Sequence, residues 1–296
     1  MLRWQLGRGP VEPPRVDPAR LPAYQPQSVN PGNLSQPPPD NFQVTWIGHS
    51  SFLIQIGGRN ILTDPIFGNC QPIPMPKLRR LPPPGIPFEA LPPIHDVVIS
   101  HNHYDHLDDP TIRRLGDEPH YWLPAGLAPW FHKRDLWRCR EVPWWGTARL
   151  AAGWELIAVP AQHFSARSFY DRDTTHWCGW VLRRDKQSIY FAGDTGYCPT
   201  FRQIGERFGG FDLAIIPIGA YRPRWIMQPI HVDPYEAVQI HLDVRARQSV
   251  ACHWGTFRLT DEPPGEPPMA LRQAMLDRKL PPERFRALRF GETIVV

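Results

Sequence analysis

The sequence predicts an α/β chain in which mixed β-sheets are covered by helices. Two observations carry that expectation. Short β-branched, apolar runs recur at Val97-Val98-Ile99-Ser100, Leu156-Ile157-Ala158-Val159, Ser188-Ile189-Tyr190-Phe191-Ala192, Leu213-Ala214-Ile215-Ile216 and Ser249-Val250-Ala251-Cys252, and read as strands. Between several of them lie helix-like segments, at Pro110–Leu115, Thr200–Phe208 and Pro234–Leu242.

In chain order, residues 1–40 hold ten of the 37 prolines, alternating with Arg, Gln, Asn and Ser. They show neither helical nor strand periodicity and read as an extended arm on the surface of one domain over residues 41–296. The core begins with Val44–Ile47, Ser51–Ile56 and Asn60–Thr63, a run of strands with a Gly57-Gly58 hairpin turn. Residues 68–93 form a second proline-dense stretch, too long for a tight connection and too apolar for a spacer, so a lid or wall of a binding site is expected there. Asp109-Pro110 opens one helix. Asp233-Pro234 with Glu236 supplies the N-cap, first-turn proline and third-position acid of another.

Composition narrows the function classes. A chain of 296 residues with 42% apolar content can bury a substantial core. The net charge of +4 permits an anionic substrate without demanding one. The densest basic run is only Lys77-Leu78-Arg79-Arg80, which argues against a nucleic-acid partner. Cys70, Cys139, Cys178, Cys198 and Cys252 are odd in number, scattered and without a C-x-x-C pair, so neither a disulfide framework nor a cysteine-based zinc finger is expected. A reducing, cytoplasmic setting fits. The opening residues lack the apolar run of a signal peptide, and no stretch approaches the roughly 18 apolar residues of a membrane span. Any membrane is met from the side.

The chemistry concentrates where strand-like runs end. Ser100-His101-Asn102-His103-Tyr104-Asp105-His106 puts four metal-liganding side chains within six residues, and His101 and His103, two apart, share one face of extended chain. Such a turn can aim two imidazoles at one divalent ion and a carboxylate with an imidazole at a second. Three further strand ends add His163, Asp194 and His253, making five histidines and two aspartates.

His101 through His106 match H-x-H-x-D-H, the motif of the metallo-β-lactamase superfamily, which this sequence resembles. Asp64 in Ile61-Leu62-Thr63-Asp64-Pro65, the stretch Gly193–Pro199, Ile216–Trp225, His231–Ala237 and His253–Phe257 are further similar to its N-acyl-phosphatidylethanolamine-hydrolysing phospholipase D family, over roughly residues 42 to 260. The resemblance implies an αββα sandwich of two mixed sheets flanked by helices. It implies two Zn2+ per chain, His101, His103 and His163 on one, Asp105, His106 and His253 on the other, with Asp194 bridging. A lone carboxylate suits ions ~3.5–4 Å apart, and a shared water whose pKa falls toward about 7 would provide hydroxide at neutral pH. The implied reaction is phosphodiester hydrolysis of N-acyl-phosphatidylethanolamine to N-acylethanolamine and phosphatidate, with Asp105 and His231 in catalytic roles.

Several readings stay open at this level. Asp64 is either the acceptor that orients a liganding histidine or an Asp-Pro turn former. His231 either donates to a phosphate oxygen or leaving alkoxide, or is a satisfied loop histidine. Arg222 and Arg224 are a phosphate fork or solvated loop arginines, and His49 stands near the metals by resemblance without a coordinating role. His95, His120, His132, His176 and His241 lack ligand spacing. A lipid substrate needs apolar access, for which Ile73, Met75, Leu78, Leu81 and Trp144-Trp145 are candidates, together with peripheral membrane contact; a homodimer is compatible. The proline-rich stretch after Phe67, and His176 and Cys178, depart from the family pattern, so the metal chemistry transfers more safely than the acyl-lipid specificity. The alternatives are a dinuclear hydrolase of a smaller phosphodiester, a lactone or a thioester, and a non-catalytic lipid-binding protein.

Overall fold

The computed structural model describes residues 34, 41–70 and 78–296. The expected arm lies outside the described residues except for Leu34, and Ile73 and Met75 lie outside them too. Two seven-stranded sheets face each other. The first holds β1 (Phe42–Gly48), β2 (Ser51–Ile56), β3 (Arg59–Thr63), β4 (Asp96–Val98), β5 (His120–Pro124) and β6 (Cys139–Val142). The second holds β7 (Thr147–Arg149), β8 (Glu155–Val159), β9 (Gly179–Arg184), β10 (Gln187–Phe191), β11 (Phe211–Pro217), β12 (Ala246–Cys252) and β13 (Phe285–Arg286). β14 (Thr293–Val295) returns to the first sheet and pairs antiparallel with β1. Each sheet is part antiparallel and part parallel: β3 to β6 run parallel, as do β10 to β13.

The apolar runs follow from burial on both faces. Phe52, Ile54, Val98 and Trp122 of the first sheet point inward to meet Leu156, Trp180, Ile189, Leu213 and Val250 of the second. Alternate residues Leu53, Val97, Tyr121 and Leu123 point outward under α1 (Asp109–Leu115) and α2 (Ala128–His132). Ile157, Val181, Tyr190, Ala214, Ile216 and Ala251 point outward under α3 (Thr200–Phe208), α5 (Pro234–Asp243) and α6 (Glu266–Asp277), with the short α4 (Arg224–Met227) between. A period of two with both sets apolar gives four layers, αββα.

Local chemistry ends these elements as expected. Gly57 and Gly58 take φ of 54° and 78°, left-handed at both central positions of the β2–β3 hairpin. Asp233 caps α5 in a complete capping box with Glu236. The first helix is capped one residue earlier than Asp109, by Asp108, whose carboxylate accepts from Thr111 N. The described part of the proline-dense stretch is pinned to the body: Leu81 N donates to Thr256 O at 2.8 Å, Gly85 N to Ile47 O at 2.8 Å, and the Arg80 guanidinium to Ile47 O and Ile66 O. All the chemistry-bearing strand ends emerge at one pole of the sandwich.

Candidate metal centre

The loop leaving β4 starts with Ser100, whose N–H and hydroxyl both donate to the buried Asp64 carboxylate, at 2.7 and 2.5 Å. Because the Ser100 hydroxyl gives its proton to Asp64, it accepts one from His101 Nδ1 at 2.9 Å, leaving His101 Nε2 with a lone pair. His163 Nδ1 donates to Ile230 O at 2.9 Å, which leaves its Nε2 in the same state. These two lone pairs meet His103 Nδ1 at 2.8 and 3.2 Å.

A second set converges beside the first. His106 Nδ1 donates to Asp64 at 2.7 Å and so presents the Nε2 lone pair. That atom lies 3.2 Å from Asp194 Oδ2 and 3.5 Å from Asp105 Oδ2; His253 Nε2 lies 3.0 and 3.4 Å from the same oxygens. His106 Nε2, both nitrogens of His253 and Asp194 Oδ1 are buried without a hydrogen-bond partner. A cluster made almost wholly of acceptors is costly to bury unless a cation shares it, and both donor sets fit one.

One atom joins the sets. Asp194 Oδ2 stands 3.0 and 3.2 Å from His253 and His106, and 3.8 and 4.0 Å from the Nε2 atoms of His163 and His101. Gly193 makes that placement possible. With φ of 62°, it lets the chain turn off β10 where a Cβ would come within 2.8 Å of Ser100 Cβ and 2.9 Å of Cys178 O.

The field in the pit asks for positive charge. Burial pulls His253 down, yet Asp194 and Asp105 override it and lift the imidazole to about 9; His106 is raised well above its usual value by the same carboxylates against burial. Burial favours the neutral carboxyl at Asp194 and Asp105, but His106 and other imidazoles hold both well below the carboxylate range. His101 and His163 are held well down, chiefly by burial, and His103 at about 4. Burial pushes Asp64 up, opposed by His106 and Ser100.

Thus the seven side chains meet at one pit: His101, His103 and His163 form one group of candidate ligands, Asp105, His106 and His253 stand together with His49 in another, and Asp194 groups with His163 and His231. Asp64 acts as acceptor to His106, so of its two readings the orienting one holds. His231 lies at the rim, 8% exposed, with Nδ1 unpartnered and 3.9 Å from Asp194 Oδ2. His49 Nε2 is 2.9 Å from Asp105 Oδ2, and its ring packs 4.1 Å from that of His253. His49, Asp64 and His253 all adopt left-handed φ, of 52°, 35° and 58°, a strain concentrated at the pit.

The remaining candidates lie elsewhere. Arg224 is fully buried, bonding the carboxylate of Glu236 at 2.7 Å and the carbonyl of His231 at 2.8 Å, and Arg222 pairs with Glu266 at 3.0 Å, so neither presents a fork to a ligand. Trp144 packs on the inter-sheet core and Trp145 on the outer face of the second sheet. Sequence reading missed three groups. Ser100 orients His101; Phe164 packs on the rings of His103 and His163 at 4.5 and 5.0 Å. Arg167 clamps the histidine loop by donating to Asn102 O and Leu107 O, both at 2.8 Å, with its guanidinium over Tyr104. Ser100 was recognisable as the residue between strand and motif. Arg167 carries no sequence signal.

Residues 59–254 match the family described as Beta-lactamase superfamily domain. An uncharacterized protein of Mycobacterium tuberculosis is 43% identical over 234 residues, which cover 76% of this chain and 61% of that one. The chain therefore spans about three fifths of that relative's length. N-acyl-phosphatidylethanolamine-hydrolyzing phospholipase D 1 of Caenorhabditis elegans is 37% identical over 248 residues, 78% of this chain and 69% of its own. Among solved structures, a metallo hydrolase of Ignicoccus hospitalis superposes with a TM-score of 0.67 at 23% identity over 86% of this chain and 98% of that one, a likeness of fold. Among the described residues no helix is long and apolar enough to cross a membrane.

Proposed function

Because the chain belongs to the β-lactamase superfamily, as a metal-dependent hydrolase, we propose that it is a phospholipase D-type phosphodiesterase cleaving N-acyl-phosphatidylethanolamine to N-acylethanolamine and phosphatidate. The observation that carries the reading is Asp194 Oδ2, set between two converging donor sets. His101, His103 and His163 would hold one Zn2+, Asp105, His106 and His253 the other, and Asp194 both. Bound there, the pair would supply Lewis-acid polarisation of a phosphoryl oxygen and a water acidic enough to attack the phosphorus at neutral pH.

The chain's own groups do the rest. Asp64 and Ser100 hold His106 and His101 in the tautomers that face the pit. Burial, foremost, keeps His231 neutral, with its pKa lowered to about 3, so it offers a phosphate or leaving oxygen an N–H rather than a charge. Lipid access is read from two rims. Phe169 and Tyr170, 100% and 95% exposed, cap the loop that follows His163, and Trp225 and Ile226, 60% and 46% exposed, stand on α4 just before His231. Apolar side chains beside exposed Arg172 suit the headgroup boundary of a bilayer. With Cys139, Cys178, Cys198 and Cys252 as free thiols, a cytoplasmic membrane face is the matching place.

The test is hydrolysis of N-acyl-phosphatidylethanolamine in mixed micelles, beside bis-p-nitrophenyl phosphate, a lactone and a thioester, with zinc counted per chain. Phosphatidate release that Asp194→Asn lowers by at least about a thousandfold, with bound zinc reduced and folding kept, is expected. Turnover confined to the lactone or thioester would replace the phosphodiester reading; binding with no hydrolysis of any of the four would replace the enzyme reading.

A further inference from the structure

The pole opposite the histidines holds a second cluster. On an extended strand, residues two apart share a face. Ile61, Val98, Trp122 and Val142 lie in the inter-sheet core, so Arg59, Asp96, His120 and Arg140, each two residues earlier, continue the same inner face past its end. The parallel register sets Asp96 beside His120 and Trp122 beside Arg140. Arg138 stands two residues before Arg140, and Arg149-Leu150-Ala151 of the second sheet closes the other side. Together these residues line one open groove of about 350 Å³.

The one acid among the described residues that line it is already engaged. Asp96 accepts from Arg59 Nε and Nη2 at 2.7 and 2.6 Å and from the Trp122 indole at 2.9 Å. Arg138, Arg140 and Arg149 are exposed, and their guanidinium groups meet no carboxylate among the described residues. Their field reaches His120, which burial, foremost, and then Arg138, Arg140 and Arg59 hold below its usual value against Asp96. The same wall continues past Arg149 to Arg183, already tied to Glu155 at 3.0 Å, and Arg184.

We propose that this groove binds a small anion carrying two or more phosphate groups. Guanidinium forks match phosphate oxygens two at a time, and Arg138 and Arg140 side by side, with Arg149 at the edge of the same groove, favour a compact, multiply charged ligand over a single phosphate. The space is of the order that small-ligand pockets occupy, roughly 300–1,000 Å³. A nucleic-acid strand is the poorer match, because the aromatic ring in the wall, Trp122, is 5% exposed and leaves no platform on which bases can stack.

The experiment is calorimetric titration of the metal-loaded full chain with fructose 1,6-bisphosphate, fructose 6-phosphate and a dT20 oligonucleotide. Wild type and Asp194→Asn, the latter altered only at the other pole, are expected to bind the bisphosphate alike and at least about tenfold more tightly than the monophosphate. Arg138→Ala/Arg140→Ala/Arg149→Ala is expected to weaken it at least about a hundredfold while melting at the wild-type temperature. No binding of the bisphosphate by wild type, undiminished binding by the triple variant, or a preference for dT20 would each overturn the proposal.

Discussion

Asp64→Asn isolates what a single oxygen contributes to the metal centre. In the native chain Oδ1 accepts from Ser100 N, while Oδ2 accepts from the Ser100 hydroxyl and from His106 Nδ1. An asparagine of the same shape must keep its carbonyl toward Ser100 N, a backbone donor with no other partner there, and so turns its NH2 toward His106. His106 then offers Nδ1 as acceptor and moves its proton to Nε2, the atom that faces Asp194 and Asp105 at 3.2 and 3.5 Å. A protonated Nε2 cannot ligate. The loss expected for an outer hydrogen-bond partner is about 10- to 100-fold in metal affinity, about 1.4 to 2.7 kcal/mol. Competitive zinc titration with a chromophoric chelator reads it directly. The ion held by His106, Asp105 and His253 should weaken, and so should that held by His101, His103 and His163, because the Ser100 hydroxyl cannot donate to an NH2 and turns its proton to His101 Nδ1; activity should fall with both. Wild-type affinity for both ions in Asp64→Asn would refute the tautomer argument.

Three further outcomes follow from other parts of the molecule. Gly193→Ala forces a Cβ to within 2.8 Å of Ser100 and keeps a left-handed φ, so a loss of about 2–4 kcal/mol in urea unfolding is expected, together with lowered metal content. His241, buried on α5 and bonded to Ser249, has its pKa lowered to about 4, chiefly by burial. Its folded form prefers neutrality, so its contribution is present above the unfolded pKa near 6.5 and is lost as pH falls toward 4; His241→Gln should flatten that limb of stability against pH by up to about 3 kcal/mol, and an unchanged limb would contradict the assignment. Phe169→Ser with Tyr170→Ser should weaken binding to anionic vesicles by at least about tenfold, measured by sedimentation, while leaving hydrolysis of a water-soluble diester unchanged.

How much of this was legible without coordinates depended on the range of the interaction. Strands such as Val97–Ile99 and Leu213–Ile216 were readable because both faces are buried, which leaves an unbroken apolar run. Asp233 and Glu236 were readable because a capping box is a local motif. The ligands stood out as liganding residue types placed immediately after those strands. What escaped depends on distant partners. β13 and β14 are too short to show a pattern and exist because β12 and β1 offer them an edge. Arg224 looks on paper like a loop arginine, and only the fold brings Glu236 and the His231 carbonyl to it. Trp144 and Trp145 read as candidates for apolar access for the same reason, whereas Phe169 and Tyr170, unremarkable in sequence, are among the aromatics left outside.

The pit draws His101, His103, Asp105 and His106 from the first sheet and His163, Asp194 and His253 from the second. Cations seated there would act as a clasp between the two sheets, adding to the packing of their inward-facing side chains. Mass action would then tie the lifetime of the fold to ion supply: at a free concentration a hundred times the dissociation constant, a bound ion would add about 2.7 kcal/mol that the unfolded chain does not receive. A cell starved of the metal would lose copies of the protein to its proteases, as well as the activity of those that remain.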